Sequence, residues 1–116
     1  MEPEEFARID HECTEFQDTI RQIQTEMTFI SQIQTWGIGD DADSGLSSAR
    51  VMASRFRSKA RGGDDSFYDV LEEHYTIVED IRTLHQLIRD RLMAADAEWA
   101  GRFNAQVTAL EQAGTK

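Results

Sequence analysis

The amino-acid sequence predicts an all-α fold, and three observations support this prediction. Apolar residues recur at spacings of three and four over long stretches, which is typical of helices that pack against other helices. No stretch alternates apolar and polar residues as a half-buried strand does. Short segments rich in glycine and aspartate separate the helical stretches. We expect an elongated antiparallel helical hairpin or bundle, with two long helices and a shorter middle helix, in a single domain over residues 1–116.

The first predicted helix spans about residues 4–35 and carries a coiled-coil-type seam. Pro3 and the two glutamates that follow it suit the first turn of a helix. Gly37 and Gly39 supply the positive φ that a helix stop or tight turn needs. Because the seam follows a 3.5-residue repeat, we expect another helix to cover it. Its members are Phe6, Ile9, Cys13, Phe16, Ile20, Ile23, Met27 and Ile30.

The second predicted helix, at about residues 44–61, is basic, and Asp43 or Ser44 can cap its first turn. Residues 44–63 contain five cations and no acid, although the whole chain has a formal net charge of −10. This basic patch consists of Arg50, Arg55, Arg57, Lys59 and Arg61. A basic helix in an acidic chain most often pairs with acids of its own chain. The alternative is that the basic patch docks a partner. The flanking acids are Asp40, Asp41, Asp43, Asp64 and Asp65.

The third predicted helix spans about residues 66–113, and Ser66 with Asp69 nearly matches a capping box at its start. Gly101 could bend this helix, or a break near residues 94–96 could split it. Two arrangements are open. Helices 1 and 2 lie end to end along helix 3, or helix 3 folds back to make a four-helix bundle. Its apolar stripe consists of Phe67, Leu71, Tyr75, Val78, Ile81, Leu84, Ile88, Leu92, Ala95, Trp99, Phe103, Val107 and Leu110.

The sequence contains no recognisable catalytic or metal-binding constellation. No glutamate stands three residues before His11, His74 or His85, as a di-metal helical bundle requires. The single cysteine, Cys13, excludes an internal disulfide and lies in register with the seam, as a small buried hydrophobe does. Phosphate-binding loops and nucleophile elbows are also missing. We therefore expect no enzyme, no cofactor and no bound metal.

Composition also predicts where the chain resides and what it does not bind. The net acidity argues against a nucleic-acid partner. No apolar run approaches the roughly 20 residues of a membrane span, so we expect no stable membrane insertion. The acidic start lacks the basic and apolar regions of a cleavable signal peptide. We expect synthesis in the cytoplasm, and any secretion or display at the cell surface to use a route without such a peptide.

The helix stop contains Trp36, for which two roles are open. In the first role, the indole closes the end of the bundle and its N–H reaches a backbone carbonyl. In the second role, it forms part of a recognition surface at the bundle tip. The adjacent Gly37 and the restart of helix by residue 44 suit both.

A short acidic helical chain with Trp36-Gly37-Ile38-Gly39 between its helices resembles the small WxG-type proteins of type VII (ESX) secretion. Ile38 stands where the Trp-x-Gly motif has glycine. The resemblance implies a helical hairpin that pairs as an antiparallel homo- or heterodimeric four-helix bundle. It also implies export by an ATP-driven machine without a cleaved signal peptide. The motif Trp36-Gly37-Ile38-Gly39, followed by Leu46-Ser47-Ser48-Ala49-Arg50 and a basic helix, looks more like a secretion-associated relative from an actinobacterium than like a core member of the family.

The resemblance further implies a Tyr-x-x-x-Asp/Glu export signal. Tyr75 with Glu79 and Tyr68 with Glu72 have this spacing, early in the third predicted helix, whereas the family places its signal near the end of the hairpin. We expect a type VII substrate or adaptor that pairs through its seams, with a secretion component or larger effector as a possible partner. The alternatives are a cytoplasmic coiled-coil scaffold, chaperone or immunity protein without export, and a module whose basic patch binds an acidic partner.

Overall fold

The computed structural model describes residues 2–41 and 45–114, and all regular secondary structure in these ranges is helical. The all-α prediction is therefore confirmed for the described residues. The predicted hairpin with two long helices is not confirmed, because the third predicted helix is interrupted at Asp96. The helices are α1 (Pro3–Ser31), α2 (Ser47–Ala60), α3 (Phe67–Ala95) and α4 (Ala97–Gly114).

The chain divides into two compact units. The first unit combines Met1–Asp18 with Thr76–Lys116, and the second unit is Thr19–Tyr75. The first unit therefore contains the start of α1, the end of α3 and α4. The second contains the end of α1, α2 and the start of α3. That the whole chain is a single domain stays a prediction.

Helix α1 ends at Ser31, four residues before the predicted end at residue 35. The N–H of Gln32 bonds the carbonyl of Phe29, three residues back, which tightens the last turn and leaves the α-helical pattern. Beyond it, a carboxylate oxygen of Asp40 accepts the backbone N–H of Trp36 at 2.8 Å. Gly37 and Gly39, at φ +77° and +91°, let the chain turn there.

Helix α2 begins three residues later than predicted. Its N-cap is Leu46, which supplies no side-chain hydrogen bond, and the predicted caps Asp43 and Ser44 lie outside the described residues. The N–H of Leu46 instead bonds the carbonyl of Gly39 at 2.7 Å. This backbone bond holds the entry to α2 against the preceding turn, so the helix starts only after Leu46.

In the second unit, α2 and α3 both run antiparallel to α1. Arg61 at the end of α2 donates to the hydroxyl of Thr28 at 2.8 Å, and earlier in α2 Arg57 donates to the carbonyl of Ile33 at 3.2 Å. Helix α2 therefore lies beside the end of α1, and the alternative in which helices 1 and 2 lie end to end is wrong. Ser66 is fully buried and its hydroxyl accepts the N–H of Asp69 at 3.2 Å, so it caps α3.

In the first unit, the chain reverses between α3 and α4. Asp96 ends α3 and caps α4, because its carboxylate accepts the N–H of Trp99 at 3.1 Å. The rings of Trp99 and Phe6 of α1 then meet edge to face, with centroids 5.5 Å apart. Arg102 forms two hydrogen bonds of 2.9 Å with the Glu4 carboxylate. The buried core of this unit consists of Phe6, Ala7, Trp99 and Phe103.

Candidate interaction surfaces

The helix 1 seam is buried only in part. Phe6 and Ile20 are buried, and Phe6 stacks on His85 with ring centroids 3.7 Å apart. Phe16 is 53% exposed, although the sequence predicts it to be covered. Cys13 is partly buried, and this burial raises the pKa of its thiol. The remaining members, all partly buried, are Ile9, Ile23, Met27 and Ile30.

The face of α3 that meets α1 in the first unit is polar. The buried amide of Gln17 donates to the Glu79 carboxylate at 2.8 Å and accepts from Arg82 at 2.6 Å. At about 100° per residue, Ile81 and Leu84 lie on the opposite side of α3 from Glu79 and Arg82. Ile81 and Leu84 of the apolar stripe predicted for helix 3 therefore face away from α1, whereas Val78 of the same stripe is partly buried.

Four apolar side chains form an exposed row on this opposite side, which we call the outer α3 stripe. They follow spacings of four, three and four, which is the repeat of a coiled-coil seam. Leu87, beside them, is also exposed. Ile77 is missing from the apolar stripe predicted for helix 3. Its spacing of four residues before Ile81 nevertheless places it on the same face of α3. The members are Ile77 (55% exposed), Ile81 (50%), Leu84 (60%) and Ile88 (44%).

The candidate export signal of Tyr68 and Glu72 lies inside a polar network of the second unit. The Glu72 carboxylate accepts from Arg21 at 2.6 Å and from the buried Gln24 at 2.9 Å. These two hydrogen bonds, Gln24 first, hold the pKa of Glu72 below its ordinary value. The Arg61 guanidinium lies 4.0 Å from the centre of the Tyr68 ring. Tyr68 and Glu72 are therefore both held by side chains of their own unit.

Tyr75 and Glu79, the other candidate export signal, each make contacts within their own unit. In the second unit, the Arg21 guanidinium lies 3.6 Å from the centre of the Tyr75 ring, which is partly buried. In the first unit, Glu79 is exposed, and its carboxylate accepts a hydrogen bond from the Gln17 amide. The Arg82 guanidinium lies 3.6 Å from the same carboxylate. The spacing of Tyr and Glu in the sequence signals none of these contacts, because their donors lie on α1 or elsewhere on α3.

The basic patch does not pair with the flanking aspartates in the part of the chain that the structure describes. No ion pair there joins a cation of the patch to a carboxylate, and Asp43 lies outside the described residues. Neutral oxygens accept instead: Arg50 donates to the Gly45 carbonyl at 2.6 Å, and Lys59 to the Asp65 carbonyl at 3.0 Å. The expected pairing is therefore wrong for Asp40, Asp41, Asp64 and Asp65.

Asp40 is used within the helix stop and not by the basic patch. Its side chain is buried and accepts the backbone N–H groups of Trp36 and Ile38. The Trp36 N–H, as the largest cause, holds the pKa of this carboxyl below its ordinary value. The negative charge that the sequence places next to the basic patch is therefore directed into the turn.

Trp36 lines an open apolar groove in the second unit. Its ring lies 5.5 Å from that of Phe56, and its Nε1 is buried without a hydrogen-bond acceptor among the described residues. The role in which this N–H reaches a backbone carbonyl is therefore wrong for residues 2–41 and 45–114. The groove has a volume of about 320 Å³ and is lined by Met27, Ile30, Trp36, Phe56, Lys59, Ala60 and Phe67.

Other kinds of site are missing from the described ranges. No group of three or more His, Cys, Asp or Glu side chains there could hold a metal ion, and His11 forms a local pair with Glu15 at 3.0 Å. No described helix has the length and apolar character of a membrane span. No model of a known protein family matches this chain, and neither a curated protein nor a solved structure matches it.

Proposed function

We propose that this chain is a non-enzymatic helical binding protein that pairs with a partner helix through the outer α3 stripe. We further propose that it acts in type VII secretion, as a substrate or as a secretion-associated adaptor. One observation carries the pairing proposal: the apolar row of Ile77, Ile81, Leu84 and Ile88 faces away from α1 and is exposed.

The area and spacing of the outer α3 stripe both fit a helical partner. Its side chains together expose apolar surface on the order of several hundred Å², a size at which patches mark protein contacts. Full burial of one such side chain is worth about 1.5–3 kcal/mol. The repeat of four, three and four lets the row fit between side chains of a second helix, as in a coiled coil.

The proposed link to type VII secretion depends on the sequence resemblance. Trp36 and Gly37 lie in the turn after α1, which we match to the family's turn, and Tyr75 with Glu79 is the proposed export signal. Tyr68 with Glu72 is the second candidate. Recognition of either pair by a secretion component requires that component to replace the intramolecular contacts of the tyrosine and the glutamate.

The pairing proposal can be tested with two isoleucines of equal exposure. Ile88 of the outer α3 stripe and Ile38 of the helix stop are both 44% exposed. We expect Ile88→Gln to weaken association about tenfold or more, and Ile81→Gln with Ile88→Gln to abolish it at micromolar concentration. We expect Ile38→Gln to leave association unchanged. Light scattering coupled to gel filtration measures the assembly, alone and with co-expressed neighbouring gene products.

Two results would contradict the pairing proposal. One is a wild-type chain that stays monomeric at every concentration and retains none of the co-expressed proteins. The other is an assembly that Ile88→Gln and Ile38→Gln weaken equally. Circular dichroism of each variant verifies that the helices are intact, since both side chains are exposed and their replacement should change stability by about 0.5 kcal/mol or less.

Export is tested separately, by fractionating cultures of the organism that encodes the chain. We expect the wild type in the supernatant, and Tyr75→Ala and Glu79→Ala to remain in the cells. His74→Ala, an exposed change on the same helix, is the control. Normal export of both variants would contradict the signal assignment. A wild type that pairs but never leaves the cell supports the scaffold, chaperone or immunity alternative.

A further inference from the structure

We propose that the second unit binds an acidic peptide segment of a partner protein through α2 and the adjacent groove of Trp36. The peptide inserts one large apolar side chain into the groove, and its carboxylates pair with Arg55 and Lys59. This surface is distinct from the outer α3 stripe, so the inference stands or fails independently of the proposed function.

The exposed face of α2 combines apolar and cationic side chains. Met52, Arg55, Phe56 and Lys59 follow the spacing i, i+3, i+4, i+7, which places them on one face of the helix. All four are exposed. A solvated helix face is usually polar throughout, whereas a face with large apolar groups among cations fits a partner that carries the opposite charge.

The groove supplies the apolar part of this recognition. It is bounded by Phe56 and Trp36 and extends to Met27, Ile30 and Phe67. Its volume of about 320 Å³ lies within the range of binding pockets for small organic groups and is sufficient for one aromatic or branched side chain. Lys59 lines the same groove, so an anchor that enters it lies next to a cation.

Charge complementarity identifies the occupant as acidic. Within residues 2–41 and 45–114, no carboxylate forms an ion pair with a cation of the basic patch. Among the described residues Arg55 donates no hydrogen bond, and Lys59 donates one, to the Asp65 carbonyl, with its ammonium 5.7 Å from the centre of the Phe67 ring. The positive charge of α2 is therefore available to carboxylates of a partner, although the whole chain is acidic.

The proposal can be tested with peptides selected without bias. Full-length protein is used to select binders from a random dodecapeptide phage library, and the selected peptides are then measured by fluorescence anisotropy. We expect enrichment of aspartate and glutamate around one aromatic or large aliphatic residue. Binding should weaken steeply between about 50 and 200 mM salt, because exposed charges are screened there.

Matched variants locate the binding surface. Arg55→Gln with Lys59→Gln should weaken peptide binding about tenfold, a loss that two exposed ion pairs can account for. Phe56→Ala should weaken binding at every salt concentration. Arg8→Gln with Arg91→Gln removes the same charge from exposed sites of the first unit and should leave binding unchanged. Circular dichroism verifies that each variant folds.

Several results would overturn the proposal. Selection that yields no binder, or binders without acidic enrichment, would overturn it. Equal binding by the two double variants would also do so, since the charges of α2 would then be irrelevant. Binding of the chain to anionic lipid vesicles or to single-stranded oligonucleotides, with loss in Arg55→Gln/Lys59→Gln and no selected peptide, would assign this face to a membrane or a nucleic acid instead.

Discussion

The two units use the same polar connection between α1 and α3 and differ in what surrounds it. In the first unit the buried amide of Gln17 bonds Glu79, and in the second the buried amide of Gln24 bonds Glu72. The first unit adds an aromatic cluster to this connection. The second unit adds α2, whose buried residues are the small Ala53 and Ala60.

The polar connection sets how the helices align, whereas the aromatic cluster supplies most of the stability. A buried hydrogen-bonded amide fixes which turns of two helices lie together, but its net stabilisation is only about 0.5–1.5 kcal/mol per bond. A buried aromatic ring removes 150–250 Å² from water, at roughly 25 cal/mol per Å². We therefore expect the first unit to resist local unfolding more than the second, with slower amide hydrogen exchange around Trp99 than around Gln24.

The largest expected effect concerns the aromatic cluster of the first unit. Phe6→Ala removes a buried ring that contacts both His85 and Trp99, and should lower the free energy of unfolding by about 3–5 kcal/mol. Phe16→Ala on the same helix is the matched control, since Phe16 is largely exposed and should lose far less. Urea unfolding followed by circular dichroism measures both. Equal losses would show that the cluster does not dominate this unit.

The second prediction concerns the polar network of the second unit. Gln24 bonds Arg21, Glu72 and the Tyr68 carbonyl, so Gln24→Ala should cost about 1–3 kcal/mol. Gln22→Ala, an exposed change in the same turn, should cost about 0.5 kcal/mol or less. The same unfolding experiment measures both variants. If Gln24→Ala costs more than Phe6→Ala, the stated difference between the units is reversed.

The sequence predicts much of the fold because local rules determine helices and their ends. The helical periods, the positive-φ glycines after α1 and the Ser66 cap all follow from neighbours in the chain. The packing of α3 does not, because it depends on which face α1 presents. The buried Gln17 selects the polar face of α3 and leaves Ile81 and Leu84 outside, and no local pattern contains that choice.

The contacts of the candidate surfaces also depend on residues distant in the chain. The sequence identifies the cations of α2 and the tryptophan, but not what they contact. It predicts aspartate partners for the basic patch, since acids are close in the chain. In the structure Asp40 instead accepts backbone N–H groups in the helix stop. The backbone N–H groups of Trp36 and Ile38 are closer to the Asp40 carboxylate along the chain than any guanidinium of the basic patch. The net charge of a segment does not show that these backbone donors compete with the cations.

A third, smaller prediction compares the caps of the two units. Asp96 caps α4 in the first unit and Ser66 caps α3 in the second. Either residue changed to alanine should cost about 0.5–2 kcal/mol, because one N–H at the helix start loses its acceptor. Asp96→Asn should retain most of the stability, since asparagine caps about as well. If Asp96→Asn costs as much as Asp96→Ala, the carboxylate charge matters more than the cap.

The smallest expected effect is a pH dependence specific to the first unit. Both ring nitrogens of His85 are buried without a hydrogen-bond partner among the described residues, and the ring stacks on Phe6. Burial, as the largest cause, lowers the pKa of His85 below its ordinary value of 6.5, with Asp10 opposing and Arg89 assisting. The unfolded chain then binds the proton more readily than the folded chain.

Between the lowered pKa of folded His85 and its ordinary value of 6.5, the unfolded state holds more protons than the folded state. The contribution of His85 to stability is therefore fully present above pH 6.5 and is lost as the pH falls below it. The Glu72 pKa is lowered from 4.5, so its own contribution is lost only in more acidic solution. His85→Gln should therefore flatten the dependence of the unfolding free energy on pH just below pH 6.5. Urea unfolding at half-unit pH steps measures these slopes. An unchanged slope in His85→Gln would mean that the imidazole is already solvated in the folded protein, and that the aromatic cluster is more open than the contacts of Phe6 indicate.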